Sequence, residues 1–219
     1  MLAGLAFGDY YVRLPLRKSA TIVHDNALRT DWQSLMQPQL SDLWNKEDVE
    51  ALRYDYIFGN PPFIGKQLRN VEQKKDMELT FQGANGAGVL DYVAAWYIKA
   101  AQYMAAVLPR NEGSAEPNYK SPADAVVVKT AFVSTNCTSH GEQVGILWNE
   151  LFNKYIIKIH FAHRTFKWGN EAKGNAAVHA VIIGFANFDN NEKSIFEYDD
   201  IRGEPHELKC KNINPYLVV

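Results

Sequence analysis

The sequence predicts an α/β domain, and three stretches of the chain lead to this prediction. Residues 54–58 are rich in β-forming side chains and run directly into Gly59-Asn60-Pro61-Pro62, where glycine and two prolines stop a strand. Residues 91–108 repeat apolar side chains at helical spacing, and residues 131–135 form a second β-rich run. Ligands of open α/β sheets bind at the carboxyl ends of strands, so Asn60 holds a candidate ligand position.

Length and composition exclude several classes of protein. The 219 residues suffice for one domain with a sizeable core, and the formal net charge of -2 gives no overall basic signal for nucleic acid, although a local basic cleft is compatible with it. Cys137 and Cys210 are far apart in sequence, which is typical of a reducing compartment, and we expect a cytoplasmic protein. We expect neither a metal site, since no Cys/His set has zinc-ligand spacing, nor a membrane span, since no apolar run reaches roughly 18 residues.

The amino-terminal part predicts a strand and a helix before the central strand. Residues 20–24 (ATIVH) have the pattern of a buried strand, stopped by the polar pair Asp25-Asn26. An Asx turn explains that pair as well as a ligand site does. A helix is predicted over 46–52, and 54–58 is interpreted as a short buried strand.

A basic stretch and a glycine-rich stretch follow the central turn. Residues 64–75 concentrate basic side chains that either contact DNA phosphates or form a solvated helix face. Residues 82–88 (QGANGAG) match neither a dinucleotide fingerprint nor a P-loop, and we interpret them as a mobile loop over the site.

Helices and strands then alternate. Asp91 is placed to cap a helix that runs to Leu108 before Pro109, and its apolar stripe is typical of core. A strand over 125–135 is surest at 131–135. The Ser139-His140-Gly141-Glu142 segment has capping-box spacing and opens a second helix.

Two further strands are predicted over 155–161 and 176–186, and they form an antiparallel pair. Between them, residues 164–170 (RTFKWGN) mix aromatic and basic side chains. In an exposed loop that mixture suits base stacking and phosphate contact, or it is a hairpin tip with incidental aromatics. From Asn187 onward the chain turns polar.

The Asn60-Pro61-Pro62-Phe63 turn has a chemical logic for an amino-group substrate. The lone pair of an exocyclic amine on a nucleobase is delocalised into the ring, and two acceptors aimed at its hydrogens turn that lone pair outward. Asn60 offers a side-chain carbonyl, Pro61 offers a backbone carbonyl in a rigid turn, and Phe63 offers a stacking face for a base removed from its duplex. The alternative is a strand-ending turn in which Asn60 satisfies local backbone groups.

These pieces together resemble a known family. The tetrapeptide resembles motif IV of the amino-group DNA methyltransferases, and the longer pieces are similar to the adenine-N6 methyltransferase region of the combined type II restriction–modification enzymes. The similar pieces run in the family's order: HDNALRTDW (24–32), YDYIFGNPPFIGK (54–66), VLDYVAAWYIKAA (89–101), AFVSTN (131–136), IHFAHRTFKWGNEAKGNAAVHAVIIGF (159–185) and INPYLV (213–218).

The resemblance implies a class I, Rossmann-like fold that uses S-adenosyl-L-methionine, with strand order 3-2-1-4-5-7-6. Neither the glycine-rich turn after strand 1 nor the acid after strand 2 is found, so we expect residues 1–219 to be a partial catalytic domain from motif III onward, without a target-recognition domain. Strands 3 and 4 then leave an exposed sheet edge. We expect either a rearranged amino-terminal region or a homo-oligomer that covers this edge.

The resemblance also implies roles for single residues. Asn60, Pro61, Pro62 and Phe63 are the catalytic turn. Asn26, with Asp25 as the alternative, contacts the cofactor adenine, and Asp91 is a further cofactor contact. Phe166, with Trp168 as the alternative, stacks on the flipped base.

The implied activity is adenine-N6 methylation of double-stranded DNA, with this chain expected to be inactive alone. Two alternatives stay open: protein-glutamine methylation, since relatives with a similar tetrapeptide act on amides, and a non-catalytic scaffold.

Overall fold

The computed structural model describes residues 22–36, 54–107, 127–168 and 178–219, which build an open six-stranded sheet flanked by helices. The strands are β1 (Tyr56–Gly59), β2 (Lys129–Thr135), β3 (Lys158–Trp168), β4 (Val178–Ala186), β5 (Lys193–Glu197) and β6 (His206–Cys210). The helices are α1 (Val71–Phe81), α2 (Ala94–Val107) and α3 (Glu142–Tyr155), with 3₁₀ turns at Ser34–Met36, Ala87–Val89 and Asn136–Thr138. The predicted α/β class is confirmed.

The strand order is β1-β2-β4-β3-β5-β6. β1 is parallel to β2, and β3 is parallel to β5, while the β2–β4, β4–β3 and β5–β6 pairs are antiparallel. The predicted antiparallel pairing of β3 with β4 is confirmed. Because β4 runs against both of its neighbours, β1, β2 and β3 all point the same way, and their carboxyl ends meet at one edge of the sheet.

The core forms between one face of the sheet and the helices α2 and α3. The fully buried Tyr97 ring of α2 stacks on Phe185 at 5.2 Å between centroids and meets Phe132 and Trp148 edge-on at 5.4 and 6.0 Å. The Tyr97 hydroxyl lies 2.8 Å from Ser134 Oγ, so the one polar atom of this ring is satisfied. The predicted apolar stripes of α2 and α3 are therefore core, as expected.

The central strand is not buried as predicted. Among the described strands, β1 lies at the edge and pairs with β2 alone, and its Tyr56 and Phe58 side chains are 65% and 82% exposed. Both point to the sheet face opposite α2 and α3, because Ile57 between them pairs with the buried Thr130.

The predicted strand over 20–24 is wrong for the residues that the structure describes. Residues 22–24 form no strand, and Ile22 is 90% exposed, since no described strand lies alongside it. Residues 20 and 21, the predicted helix over 46–52 and the segment 108–126 with Pro109 lie outside the described residues.

Two predicted helix caps are also wrong. α2 begins at Ala94, and the Asp91 side chain bonds to other elements instead of capping it. α3 begins after Gly141, which has no side-chain cap, so the Ser139–Glu142 capping box does not form. The capping box that does form is Asn70 with Gln73, at the start of α1.

The loop predicted over 164–170 is a strand over its described part. Residues 164–168 continue β3, with Phe166 opposite Ala180 and Trp168 opposite Val178, and a bulge lies between His163 and Phe166. Alternating side chains suit a strand as well as a loop, and β4 supplies the partner. Residues 169 and 170 lie outside the described residues. The polar tail contains two strands that were not predicted, β5 and β6.

Candidate active site

The turn after β1 and the end of β3 lie at the same edge of the sheet. β1 ends at Gly59 beside Phe132, and β3 ends at Trp168, so the 60–63 turn and the aromatic side chains of β3 lie on either side of the carboxyl end of β2. With a spacing of about 4.8 Å between neighbouring strands, three steps separate β1 from β3 by about 14 Å.

The Asn60-Pro61-Pro62-Phe63 turn presents two unused acceptors. Pro61 is buried, Asn60 and Pro62 are exposed, and Phe63 is half-buried. The Ile64 amide donates to the Pro62 carbonyl at 3.1 Å, which closes the turn. Neither the Asn60 side chain nor the Pro61 carbonyl bonds to any residue that the structure describes. Asn60 thus does not satisfy local backbone groups, and both carbonyls can accept from a ligand.

Asp91 holds the segment behind this turn. Its Oδ1 accepts from the Lys66 amide at 3.2 Å and from Gln143 Nε2 at 3.3 Å, while the Asp91 amide donates to Gln143 Oε1 at 2.8 Å. Oδ2 accepts from Thr135 Oγ1 at 3.4 Å. The buried Asp91 therefore joins the turn, the end of β2 and the start of α3.

The Asp91 carboxylate also affects a cysteine. Burial raises the pKa of the Cys137 thiol, and the nearby carboxylate raises it further. The thiol is thus kept protonated, which does not favour a thiolate nucleophile at this edge.

Asn26 and Asp25 both sit in a compact polar turn. Asn26 Oδ1 accepts from the Leu28 amide at 3.0 Å, which is the Asx turn left open by the sequence, and its Nδ2 donates to Asp76 Oδ2 at 2.9 Å. Asp25 accepts from the Asn26 amide at 2.7 Å and from Thr30 Oγ1 at 2.9 Å, and these bonds lower the pKa of the Asp25 carboxyl. Asn26 is thus fixed, whereas Asp25 is exposed.

Asp76 is a functional candidate that sequence reasoning missed. Its side chain is 1% exposed and accepts from Arg29 Nε at 2.7 Å, from the Tyr92 hydroxyl at 2.8 Å and from Asn26. Burial alone raises the pKa of Asp76, but the hydrogen bonds from Arg29, Tyr92 and Asn26 outweigh it and hold the pKa below the ordinary value of 3.8. The available signal was an aspartate on the buried α1 stripe Asp76, Met77, Thr80 and Phe81.

Tyr92 connects the Asp76 cluster to the catalytic turn. Its amide donates to the Ile64 carbonyl at 2.9 Å while its hydroxyl reaches Asp76. Burial, followed by the Asp76 carboxylate, raises the pKa of Tyr92 to about 12. A short run of contacts thus links Asn26 to the residue that follows Phe63.

Trp32, which had no predicted mechanism, anchors the Asn26 turn. Its indole N–H donates to the Ala27 carbonyl at 2.9 Å, its ring lies 6.1 Å from the Tyr103 ring, and Lys99 Nζ lies 5.9 Å above it. The segment that carries Asn26 is therefore held against α2.

Phe166 and Trp168 belong to an aromatic cluster on the exposed side of β3. The Phe166 ring stacks on Tyr198 at 5.5 Å and lies 5.9 Å from the Trp168 ring. The neighbouring His163 stacks on Phe196 at 4.3 Å, and burial lowers the pKa of its imidazole. Trp168 is 38% exposed, so it is the more accessible of the two predicted stacking residues.

A cavity of about 550 Å³ lies between α1 and residues 83–88, and Lys66 and Gln67 also line it. The buried Arg69 closes one side, donating to the Gly88 carbonyl at 2.6 Å and to the Lys66 carbonyl at 3.3 Å. Arg69 thus pins the glycine-rich loop and is not free for phosphate, whereas Lys74 and Lys75 on α1 are exposed.

In the part of the chain that the structure describes, no group of three His, Cys, Asp or Glu side chains is arranged to hold a metal ion. Within the same residues, every helix is too short or too polar to cross a membrane.

Comparison with known proteins gives a consistent answer. Residues 3–197 match the family model described as "MmeI, DNA-methyltransferase domain". The chain is 38% identical over 204 residues to DNA methyltransferase A of Bacillus subtilis (strain 168), covering 93% of this chain and 19% of that protein. It is 43% identical to the Type IIL restriction-modification enzyme MmeI, solved in complex with DNA, with a TM-score of 0.76 over 98% of this chain and 24% of that one. The chain thus spans about a fifth to a quarter of the length of these relatives.

Proposed function

The chain belongs to the MmeI DNA-methyltransferase domain family, and on that premise we propose that it carries the base-side half of an adenine-N6 DNA methyltransferase of a restriction–modification system. The observation that carries the proposal is the pair of unused carbonyls, Asn60 Oδ1 and Pro61 O, at the carboxyl edge of the sheet. Two acceptors side by side suit the two hydrogens of an exocyclic amine.

The turn acts by positioning the target amine. Asn60 and the Pro61 carbonyl each accept one amine hydrogen, which draws the nitrogen towards a tetrahedral shape and aims its lone pair away from the ring. The buried Pro61 and the rigid Pro62 keep both acceptors in place without reorganisation. The amine loses a proton once it carries the methyl group.

The flipped adenine lies between the turn and the β3 aromatics. Phe63 stacks on it from the turn, and Phe166 or Trp168 stacks from the β3 side. β1 and β3 are about 14 Å apart, so the side chains of Phe63 and of the β3 aromatics approach the base from different strands. Trp168, at 38% exposed, is better placed than Phe166, one face of which is already covered by Tyr198.

S-adenosyl-L-methionine supplies an electrophilic methyl group when bound, and the residues present fit part of its site. Asn26 Oδ1 accepts one hydrogen bond and retains a second lone pair, and Asp25 is an exposed carboxylate next to it. Asp91 Oδ2 accepts a long 3.4 Å bond from Thr135 Oγ1, and a carboxylate oxygen has a second lone pair that can accept from a cofactor donor. These three residues are our proposed cofactor contacts.

We further propose that residues 1–219 carry a class I methyltransferase fold, of which they hold the part from motif III onward. The order β1-β2-β4-β3, with β4 antiparallel, agrees with the 4-5-7-6 half of that fold. The coverage of 19% and 24% of the relatives also supports a region of a larger enzyme, so we propose that the chain is inactive alone.

Double-stranded DNA is the proposed macromolecular partner. The MmeI relative was solved with DNA, and the exposed Lys74 and Lys75 lie on the helix that follows the catalytic turn. We also propose a cytoplasmic location and a homo-oligomer that covers the β1 edge, where Tyr56 and Phe58 are exposed.

The function is tested by transfer of a labelled methyl group from S-adenosyl-L-methionine to DNA and to a glutamine-containing protein. The assay uses this chain and the Asn60→Ala variant, together with the Bacillus subtilis relative carrying the same change. We expect label on adenine with the relative, lost in its variant, and none with this chain alone. If the relative still labels DNA after Asn60→Ala, the proposed role of Asn60 is wrong. If the label appears on protein, the proposal that DNA is the substrate is wrong.

The exposed Asn212, next to β6 at the opposite margin of the sheet, gives a matched control. The same change at the matching position of the relative removes a side-chain amide far from the turn and leaves its labelling unchanged.

A further inference from the structure

The Asn26 side-chain amide lies between two groups that are compatible with only one of its two orientations. The Leu28 amide can only donate, so the group it meets at 3.0 Å must be the side-chain carbonyl of Asn26. An ionised Asp76 can only accept, so the group it meets at 2.9 Å must be the Asn26 NH₂. The two contacts independently fix the same orientation of the amide.

Asp76 is a firm partner because it is buried and charge-compensated. Its other oxygen accepts from Arg29 Nε at 2.7 Å, and the Tyr92 hydroxyl donates to the oxygen that Asn26 also uses. If the Asn26 amide were reversed, its carbonyl oxygen would face the Asp76 carboxylate and two acceptors would oppose each other. The charged Asp76, held by three donors, therefore disfavours the reversed orientation.

We infer that Asp76 is a positioning residue that locks the Asn26 carbonyl outward and thereby makes the site select a cofactor with a 6-amino purine over one with a 6-oxo purine. The inference rests on the proposed role of Asn26 at the cofactor adenine. The free lone pair of Asn26 Oδ1 accepts from the 6-amino group. A 6-oxo purine has no hydrogen there and presents a second acceptor to the carbonyl.

The lock also predicts what happens when it is loosened. In Asp76→Asn, residue 76 can present either a carbonyl or an NH₂, so the Asn26 amide can turn and donate to a 6-oxo group. Only the Leu28 amide then opposes that turn. If Asp76 merely stabilised the fold, its replacement would weaken the binding of both ligands equally and leave the ratio of their dissociation constants unchanged.

The experiment measures dissociation constants of S-adenosylhomocysteine and of its hypoxanthine analogue for this chain by calorimetry. We expect the wild-type chain to prefer the adenine compound, and the preference to fall about tenfold or more in Asp76→Asn. The matched control is Glu72→Gln on the same helix. Glu72 lies 3.6 Å from Arg29 and is 79% exposed, so its loss perturbs the cluster without touching Asn26 and leaves the preference intact.

The outcomes separate the inference from the function. An unchanged preference in Asp76→Asn, with both ligands weakened equally, overturns the lock and leaves the cofactor site standing. A wild-type chain that binds neither compound shows that residues 1–219 do not hold the cofactor by themselves, and this overturns the preference inferred for this chain.

A second measurement needs no Asp76 variant and covers the case in which Asp76→Asn does not fold. In ¹⁵N–¹H spectra of the wild-type chain, we expect the Asn26 side-chain NH₂, identified by its loss in Asn26→Ala, to exchange with solvent at least tenfold more slowly than that of the exposed Asn212. Equal exchange rates overturn the lock.

Discussion

A single glycine shows how tightly the exposed face of the sheet is built. A Cβ added at Gly184 would lie 2.0 Å from Cε1 and 2.3 Å from Cδ1 of Phe161, which pairs with it across β3 and β4. We expect Gly184→Ala to lower the free energy of unfolding by about 1–3 kcal/mol, since the ring must leave its position. Urea denaturation of the two proteins checks this.

The control is a second glycine-to-alanine change, which we expect to raise the free energy of unfolding instead of lowering it. Gly145 lies in α3 with nothing near its missing Cβ, so Gly145→Ala raises stability by about 0.5–1 kcal/mol through helix propensity. Equal stability of wild type and Gly184→Ala contradicts the packing of Phe161 on β4.

Tyr92 contributes a part of the folding stability that is lost at high pH. Its folded pKa is raised to about 12 from the ordinary 10.0, so the folded state binds the proton more tightly than the unfolded state. Its contribution is therefore complete below pH 10 and is lost as pH rises towards 12. We expect Tyr92→Phe to flatten the fall in unfolding free energy across this window. An unchanged slope in urea titrations between these pH values contradicts the assignment.

Single residues were predictable where the chemistry is local and not where a partner is distant in sequence. Asn60 and the two prolines predict a ligand-facing turn within four consecutive residues, and no described residue bonds to the Asn60 amide or to the Pro61 carbonyl. Asp76 acquires its meaning only from Asn26 and Arg29, which lie about fifty residues away and reach it through folding.

At the scale of elements, β2 carries one buried hydroxyl that is not hydrogen-bonded and one that is. Thr130 Oγ1 is buried and has no hydrogen-bond partner in the described ranges, while Ser134 on the same face bonds to Tyr97 and Thr138. We expect Thr130→Val to leave the free energy of unfolding unchanged or to raise it by about 1 kcal/mol. Valine has the shape of threonine but lacks the unsatisfied hydroxyl. Thermal and urea unfolding measure the difference.

Ser134→Ala is the matched comparison within the strand. It removes the hydroxyl that joins buried Tyr97 to Thr138 and lowers the free energy of unfolding by about 1–3 kcal/mol. A loss of similar size in Thr130→Val would mean that the Thr130 hydroxyl has a partner.

Elements were predictable where both burial and periodicity are strong. The α2 and α3 stripes and the β3–β4 pair follow from apolar spacing alone. β6 could not be found that way, because an edge strand buries little, and four of its five residues are exposed. The 164–168 segment was misassigned because polar alternation is equally compatible with a loop until β4 is known to pair with it.

The whole molecule has two different margins. The β1 margin exposes aromatic side chains, with Phe58 82% exposed, whereas the β6 margin is largely polar. We expect the chain to self-associate through β1, and Phe58→Lys to shift it towards monomer in sedimentation velocity. Leu208→Lys on β6, where Leu208 is 40% exposed, is the control that leaves the distribution unchanged. A wild-type chain that stays monomeric at high concentration contradicts the association.

The pairing of strands also sets an order in time. β3 and β4 are neighbours along the chain, so they can form a hairpin early, together with α3, which precedes them. β1 must instead find β2 across the span that separates Tyr56 from Lys129, and it gains only one neighbour when it arrives. In native-state hydrogen exchange, the amides of β1 should open at lower free energy than those of β4. We therefore expect the segment proposed to hold the target base to assemble later than the centre of the sheet and to detach before it.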